Sequence, residues 1–295
     1  MSAPASQPHA RARGYLLVLV CAVMWSLGGV FVKVLRQPCY DMAPGAIACL
    51  RSAAAGLLLA WALPGLARAP RGLAIASGIA YTTVVGSFVF AVSGTTAANA
   101  IFLQYAYPAF VAVGAVCFFH ERLGRRTRAA LGLGLAGVAV ILACSWAPGQ
   151  RAGLVCGFAS SIAFALLALL QHAIQSGSPV ALSALYNLMA AALLLPFAWG
   201  KLGGLSAEAL LVVAAMGTFQ LGIPYVLFIR GVRTVPATDA ALITLAEPIL
   251  NPVWVWLAVG ERPSPSTLVG GGLILLALLV RFVRPFGRNS RRAEP

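Results

Sequence analysis

Glu247 is a carboxylate in the middle of an apolar run, residues 236–259. Thr244, Glu247, Asn251 and Trp254 follow one another at helical spacing, so a helix there carries a hydroxyl, a carboxylate, an amide and an indole on a single face. An ionisable group at the centre of a bilayer costs about 2.5–3.5 kcal/mol on insertion scales, so one that is kept marks a functional position by default. A stripe of mixed donors and acceptors beside an aromatic ring suits a small polar solute with an apolar side chain. Pro248 and Pro252 lack backbone donors, which frees the carbonyls of residues 244 and 248 and lets the helix bend. The competing reading makes Glu247 a buried residue of helix packing. Arg51 is the other charge deep in an apolar run, and its competing readings are an anion contact and a bond to carbonyls at a helix end, the second being preferred.

A shift of 140 positions maps Pro108 with Glu121-Arg122 onto Pro248 with Glu261-Arg262. Glutamate occurs at only five positions, so this alignment carries weight, and it extends to Ala97 with Ala237 and Phe88 with Phe228. The stripe of the second half maps onto Gln104, Tyr107, Val111 and Gly114, a weaker and more aromatic counterpart. Pro108 has the same bending consequence as Pro248. The hinge positions are therefore Pro108, Pro248 and Pro252.

The elements that hold these residues must lie in a membrane. Sixty per cent of the 295 residues are hydrophobic and 9% are charged, too few charges to cover the surface of a water-soluble domain of this length. Breaks at Pro, Gly and charge clusters leave ten apolar segments of about 20 residues, the length that spans a bilayer: 14–35, 44–63, 72–93, 97–119, 127–145, 151–175, 180–199, 208–231, 236–259 and 265–284. The fold expected is an all-α polytopic membrane protein of ten helices in two five-helix halves, 14–146 and 151–285, with polar tails at 1–13 and 286–295. Fifteen of the 21 Lys and Arg residues fall on the N-terminal side of the membrane, five on the other, and Arg51 inside a span. The positive-inside rule then puts both termini in the cytoplasm. Five spans per half is odd, so the halves run in opposite senses, as in inverted-repeat carriers. The net charge of +14 belongs to this one membrane face rather than to nucleic acid. Arg11 and Arg13 precede an apolar run, but its length and the absence of a small-residue cleavage site argue against a signal peptide.

The six cysteines show neither disulfide nor metal spacing, and the three histidines lie near span ends or tails. Seven scattered acids give no nucleophile-and-base pair and no ligand cluster, which points away from an enzyme and calls for no cofactor or metal. Other polar or aromatic residues inside spans are Trp25, Ser26, Tyr81, Thr82, Phe164, Gln171, Asn187, Gln220 and Tyr225. Gly132, Ala136 and Gly270–Gly272 are expected to allow close helix contact.

With two five-helix halves, each containing Ala-x-Ala, Pro and Glu-Arg followed by a Gly-rich helix (Ala98 to Gly124 and Asp239 to Arg262), the chain resembles the EamA-type carriers of the drug/metabolite transporter (DMT) superfamily. Trp25-Ser26 with Lys33, and Leu50-Arg51-Ser52-Ala53, are also similar to that pattern. Length and aromatic content look most like the YddG-type amino-acid exporters. The resemblance implies a bacterial inner-membrane bundle with a central cavity lined by spans 1, 3, 4, 6, 8 and 9, exporting metabolites that include aromatic and other neutral amino acids. Within it the substrate contacts are Trp25, Tyr81, Gln104, Tyr107, Phe164, Gln220, Thr244, Glu247, Asn251 and Trp254. The expected partners are a small-molecule substrate and membrane lipid, with no nucleic acid, in a monomer or weak homodimer. Export of purines or cationic drugs, or a scaffold without transport, are the alternatives.

Overall fold

The computed structural model describes residues 8–119, 124–174 and 176–282. Every regular element among them is helical. Helices α1 (Pro8–Ser26) and α2 (Gly28–Leu35) form the first span with a break at Leu27. Next come α3 (Pro44–Leu59), prolonged by a tighter 3-10 turn over Ala60–Arg68 that contains Pro64, and α4 (Arg71–Gly94). The fourth apolar segment is split into α5 (Ala97–Gln104) and α6 (Tyr107–Phe119), and α7 (Arg125–Ser145) follows. The second half contains α8 (Arg151–Ala173) and α9 (Pro179–Ala198). Its third span is built from α10 (Ala207–Ala215), a π turn over Met216–Gly222 and α11 (Ile223–Gly231). Helices α12 (Ala237–Thr244), α13 (Ala246–Val259) and α14 (Pro265–Phe282) complete the chain.

Among the described residues, nine helices or joined helices are long and apolar enough to cross a membrane. The tenth expected segment, 97–119, is interrupted at Tyr105–Ala106, so neither piece reaches spanning length by itself. Proline causes the interruption. Pro108 has no N–H to give the carbonyl four residues earlier, and its ring crowds that carbonyl, so the chain turns just before it. The same step occurs at Leu245, ahead of Pro248, and the two breaks are 140 positions apart. The π turn precedes Pro224 in the same way, where the wider ring absorbs the missing donor.

Packing follows the repeat. Helix α7 runs against α14 and α3 against α9, each helix meeting its equivalent from the other half; α4 packs on α8 as α11 packs on α1. At the α7–α14 contact, a Cβ on Gly137 would lie 2.5 Å from the carbonyl oxygen of Gly270, so the two backbones touch where only hydrogen fits. Gly132 and Gly272 do not share this contact: both face open space, because they lie on another side of their helices. The main core joins α2, α3, α4 and α5, and all eight residues of α5 are buried.

Ties across the bundle fix the two ends of the first and ninth apolar segments. Where α1 and α12 begin, the Tyr15 hydroxyl donates to the Asp239 carboxylate at 2.5 Å. Where α2 and α13 end, Lys33 pairs with Glu261 at 2.6 Å and donates to the Thr95 carbonyl at 2.9 Å. Glu261 also accepts from the Ala97 backbone N–H at 2.7 Å, capping the first turn of α5. Lys33 is therefore not a lone charge. The repeat-related pair Glu121-Arg122 lies outside the described residues.

Candidate functional site

The two helix breaks meet. The Tyr105 hydroxyl, from the C-cap position of α5, lies 2.7 Å from Glu247 Oε2 and 3.2 Å from the Thr244 carbonyl oxygen. That carbonyl is the one Pro248 leaves without a helical donor, so the proline of one half creates the acceptor used by the other half. Glu247 sits in the first turn of α13, where the helix N-terminus favours negative charge, and it remains partly exposed. The Cys21 thiol of α1 and the Tyr107 hydroxyl are its further electrostatic neighbours.

Tyr107, one of those neighbours, belongs to an aromatic pair. Tyr107 stacks on Phe164 of α8, with ring centroids 4.2 Å apart and planes at 20°. Trp25 of α1 meets Phe228 of α11 at 5.2 Å. All four rings are partly exposed, in contrast to the sealed surroundings of α5. Gln104 is buried and donates to Ser160 Oγ at 2.8 Å, and Ser160 in turn donates to the Val84 carbonyl at 3.2 Å.

The rest of the stripe behaves less uniformly. The Thr244 hydroxyl bonds its own helix at Ala241. Trp254 Nε1 donates to Ser26 Oγ at 2.9 Å, tying α13 to α1 just before the Leu27 break. Gln220, in the π turn, donates to the Trp25 carbonyl at 3.2 Å while its own Oε1 has no partner. Asn251 is fully buried against Gly29, where a Cβ would lie 2.6 Å from Oδ1, and neither atom of its amide has a partner among the described residues. Thus Trp254 and Gln220 tie α13 and the π turn to α1 beside Trp25, while Glu247 of α13 is approached by Cys21 from α1 and by Tyr107, which carries Phe164 stacked on it.

Tyr81 belongs to a neighbouring cluster. Its hydroxyl donates to Asn187 Oδ1 at 3.0 Å, and its ring lies 5.8 Å from that of Tyr186. Tyr225 and Gln171 approach the same group from α11 and α8. Arg51 of α3 adjoins it and donates from Nη2 to the Val85 carbonyl at 3.0 Å, in the middle of α4 rather than at a helix end.

Tyr105 is the residue that the sequence pattern passes over. The shift of 140 pairs Glu247 with Tyr107, yet the hydrogen bond comes from two residues earlier. Its signal is position: Tyr105 precedes Pro108 by three, as Leu245 precedes Pro248, so it stands on the break itself. Among the described residues, no group of three His, Cys, Asp or Glu side chains gathers to hold a metal ion.

The profile of the EamA-like transporter family matches the chain twice, at residues 12–143 and 151–283. An uncharacterized transporter of Archaeoglobus fulgidus is 30% identical over 200 residues, which is 66% of this chain and 71% of that protein. The uncharacterized transporter YwfM of Bacillus subtilis is 31% identical over 150 residues, and the match spans about half of each protein, 48% of this chain and 49% of the relative. A solved crystal structure superposes with a TM-score of 0.63 at 19% identity, covering 90% of this chain and 96% of its own, and so shares the fold.

Proposed function

The chain belongs to the EamA-like transporter family, and from that premise we propose that it is a secondary carrier that moves small metabolites, best fitted to aromatic and other neutral amino acids, outward across a bacterial inner membrane. The observation that carries this reading is the contact of Tyr105 with Glu247 and with the Thr244 carbonyl, made between two proline-induced helix breaks at equivalent positions of the repeat. Broken helices that meet near mid-membrane offer a carboxylate, a hydroxyl and freed carbonyls to a solute, and they bend when the halves rock. The stacked pair Tyr107 and Phe164, with Trp25 and Phe228, suits an apolar or aromatic side chain.

In this reading the fold has ten spans as two inverted repeats, with the split segment 97–119 as the fourth, and both termini are cytoplasmic. The Lys33–Glu261–Ala97 tie then lies at the outer end and closes it, leaving the partly exposed central residues to face inward. Activity as an enzyme is no part of the reading, which rests on the family and on binding groups rather than on a nucleophile.

The experiment is counterflow in proteoliposomes loaded with individual amino acids, nucleobases or cationic amines. Exchange of aromatic and neutral amino acids is the expected outcome. Exchange of a nucleobase or a cationic amine alone removes the amino-acid assignment and keeps the carrier. Replacement of Glu247 by Gln and by Ala separates proton coupling from contact with the solute. Unaltered exchange, pH dependence and affinity in both variants takes Glu247 out of the site.

A further inference from the structure

Arg51 is 2% exposed, carries a charge within a membrane span and has no carboxylate at ion-pair distance among the described residues. Among the described residues its single hydrogen bond goes from Nη2 to the Val85 carbonyl, and its Nε–H has no partner. A buried guanidinium is normally matched by an anion or a full set of acceptors, because an unmatched charge in a low-dielectric interior is costly. The carbonyl it borrows lies in the middle of α4, where the helix ladder already uses that oxygen. Such a bond is easily exchanged for a stronger one.

We propose that Arg51 is the anion contact of the transported solute and takes its carboxylate; the proposal rests on the carrier reading above and adds the chemical group that the carrier selects. Three features support it. The arginine is fixed in place from behind, since a Cβ on Gly217 of the π turn would lie 2.3 Å from the Arg51 carbonyl oxygen, so backbone meets backbone there. Tyr81 stands one turn before Val85 on α4 as its electrostatic neighbour, and Tyr225 beside Tyr81 adds a second hydroxyl. The third is connectivity. Val85, which Arg51 holds, follows Val84, whose carbonyl accepts from Ser160; Ser160 accepts from Gln104, and Gln104 precedes Tyr105, which holds Glu247. Arg51 and Glu247 are thus linked through neighbouring residues and not paired with each other, so the contact assigned to the solute at Arg51 is its carboxylate alone. A carboxylate replacing the Val85 carbonyl engages the planar guanidinium fork through two charge-assisted bonds, which an ammonium side chain cannot reproduce.

The test compares each amino acid exchanged by the native chain with its primary amide and its decarboxylated amine as competitors in proteoliposome counterflow. For the native chain the acid is expected to compete at least tenfold better than the amide or amine. In Arg51→Gln that preference falls to within twofold. Arg51→Lys, which keeps the charge and guards against misfolding of the neutral variant, raises the KM for the acid about tenfold and leaves the KM for the amine unchanged. A native chain that does not distinguish acid from amide, or variants that keep the native preference, overturn the assignment and leave the carrier reading standing. A native chain that exchanges no solute removes both. A residue that merely ties α3 to α4 lowers exchange of acid and amine alike, so the ratio separates the two roles.

Discussion

Glu261→Ala removes two connections at once, the ion pair with Lys33 and the cap on the Ala97 N–H. Loss of an N-terminal cap costs about 1 kcal/mol. Hydrogen bonds to charged groups contribute about 1.5–3 kcal/mol, and the lower figure applies to side chains that keep some contact with solvent; Lys33 and Glu261 are 18% and 23% exposed. The two together give about 2.5 kcal/mol, or about 70-fold in the opening equilibrium of this end of the bundle. Glu261→Gln keeps an acceptor for Ala97 and loses the pair, as does Lys33→Met, so each is worth about 1.5 kcal/mol and about tenfold. The reporter is Ala98→Cys, next to the capped residue and 1% exposed, in a chain whose exposed Cys39 and Cys144 are replaced by serine. Its maleimide labelling rate in nanodiscs measures the open population. Rates about tenfold above the parent in Glu261→Gln and Lys33→Met, and about 70-fold in Glu261→Ala, are expected. Rates within twofold of the parent in all three refute the idea that this tie closes the bundle.

Tyr105→Phe leaves the Thr244 carbonyl and Glu247 without their cross-repeat donor, a loss of about 1.5–3 kcal/mol for a hydrogen bond to a charged group; kcat/KM for exchange should fall about tenfold or more. Tyr107→Phe keeps the stack on Phe164 and should stay within about twofold of the parent in the same assay, so equal losses in both variants contradict the assignment. Gly137→Leu drives a side chain into the Gly270 carbonyl and should lower stability by about 1–3 kcal/mol, read as a drop in Tm of detergent-solubilised protein. Gly132→Leu, which meets nothing, should leave Tm unchanged.

Much of the candidate site is legible in residue types and spacing. A lone carboxylate inside an apolar run must have a polar neighbourhood, whatever the packing, because of what burial costs. Pro108 and Pro248 dictate breaks at fixed offsets, because the missing N–H and the ring clash are local properties of the chain. The doubled Pro and Glu-Arg pattern fixes which breaks correspond. For the same reason, the Thr244 carbonyl is identifiable as an unsatisfied acceptor before its partner is known.

The partner itself is a tertiary matter. A repeat shift aligns positions along two helices, and it says nothing about which side chain crosses the gap after a break turns the helix. Tyr105 rather than Tyr107 reaches Glu247 because it occupies the turn between α5 and α6. Sequence spacing likewise presents both Gly132 and Gly137 as close-contact candidates, and only the rotation of α7 against α14 selects Gly137. Arg51 shows the same division. Its place in an apolar run makes it costly from sequence alone, but only the packing of α3 beside α4 reveals that it holds a carbonyl and, among the described residues, no carboxylate. Composition and spacing determined that this chain crosses a membrane as two related halves, which faces carry polar groups and where the helices must break. The azimuth of each helix against its neighbours, which local chemistry does not constrain, decided which of those groups meet.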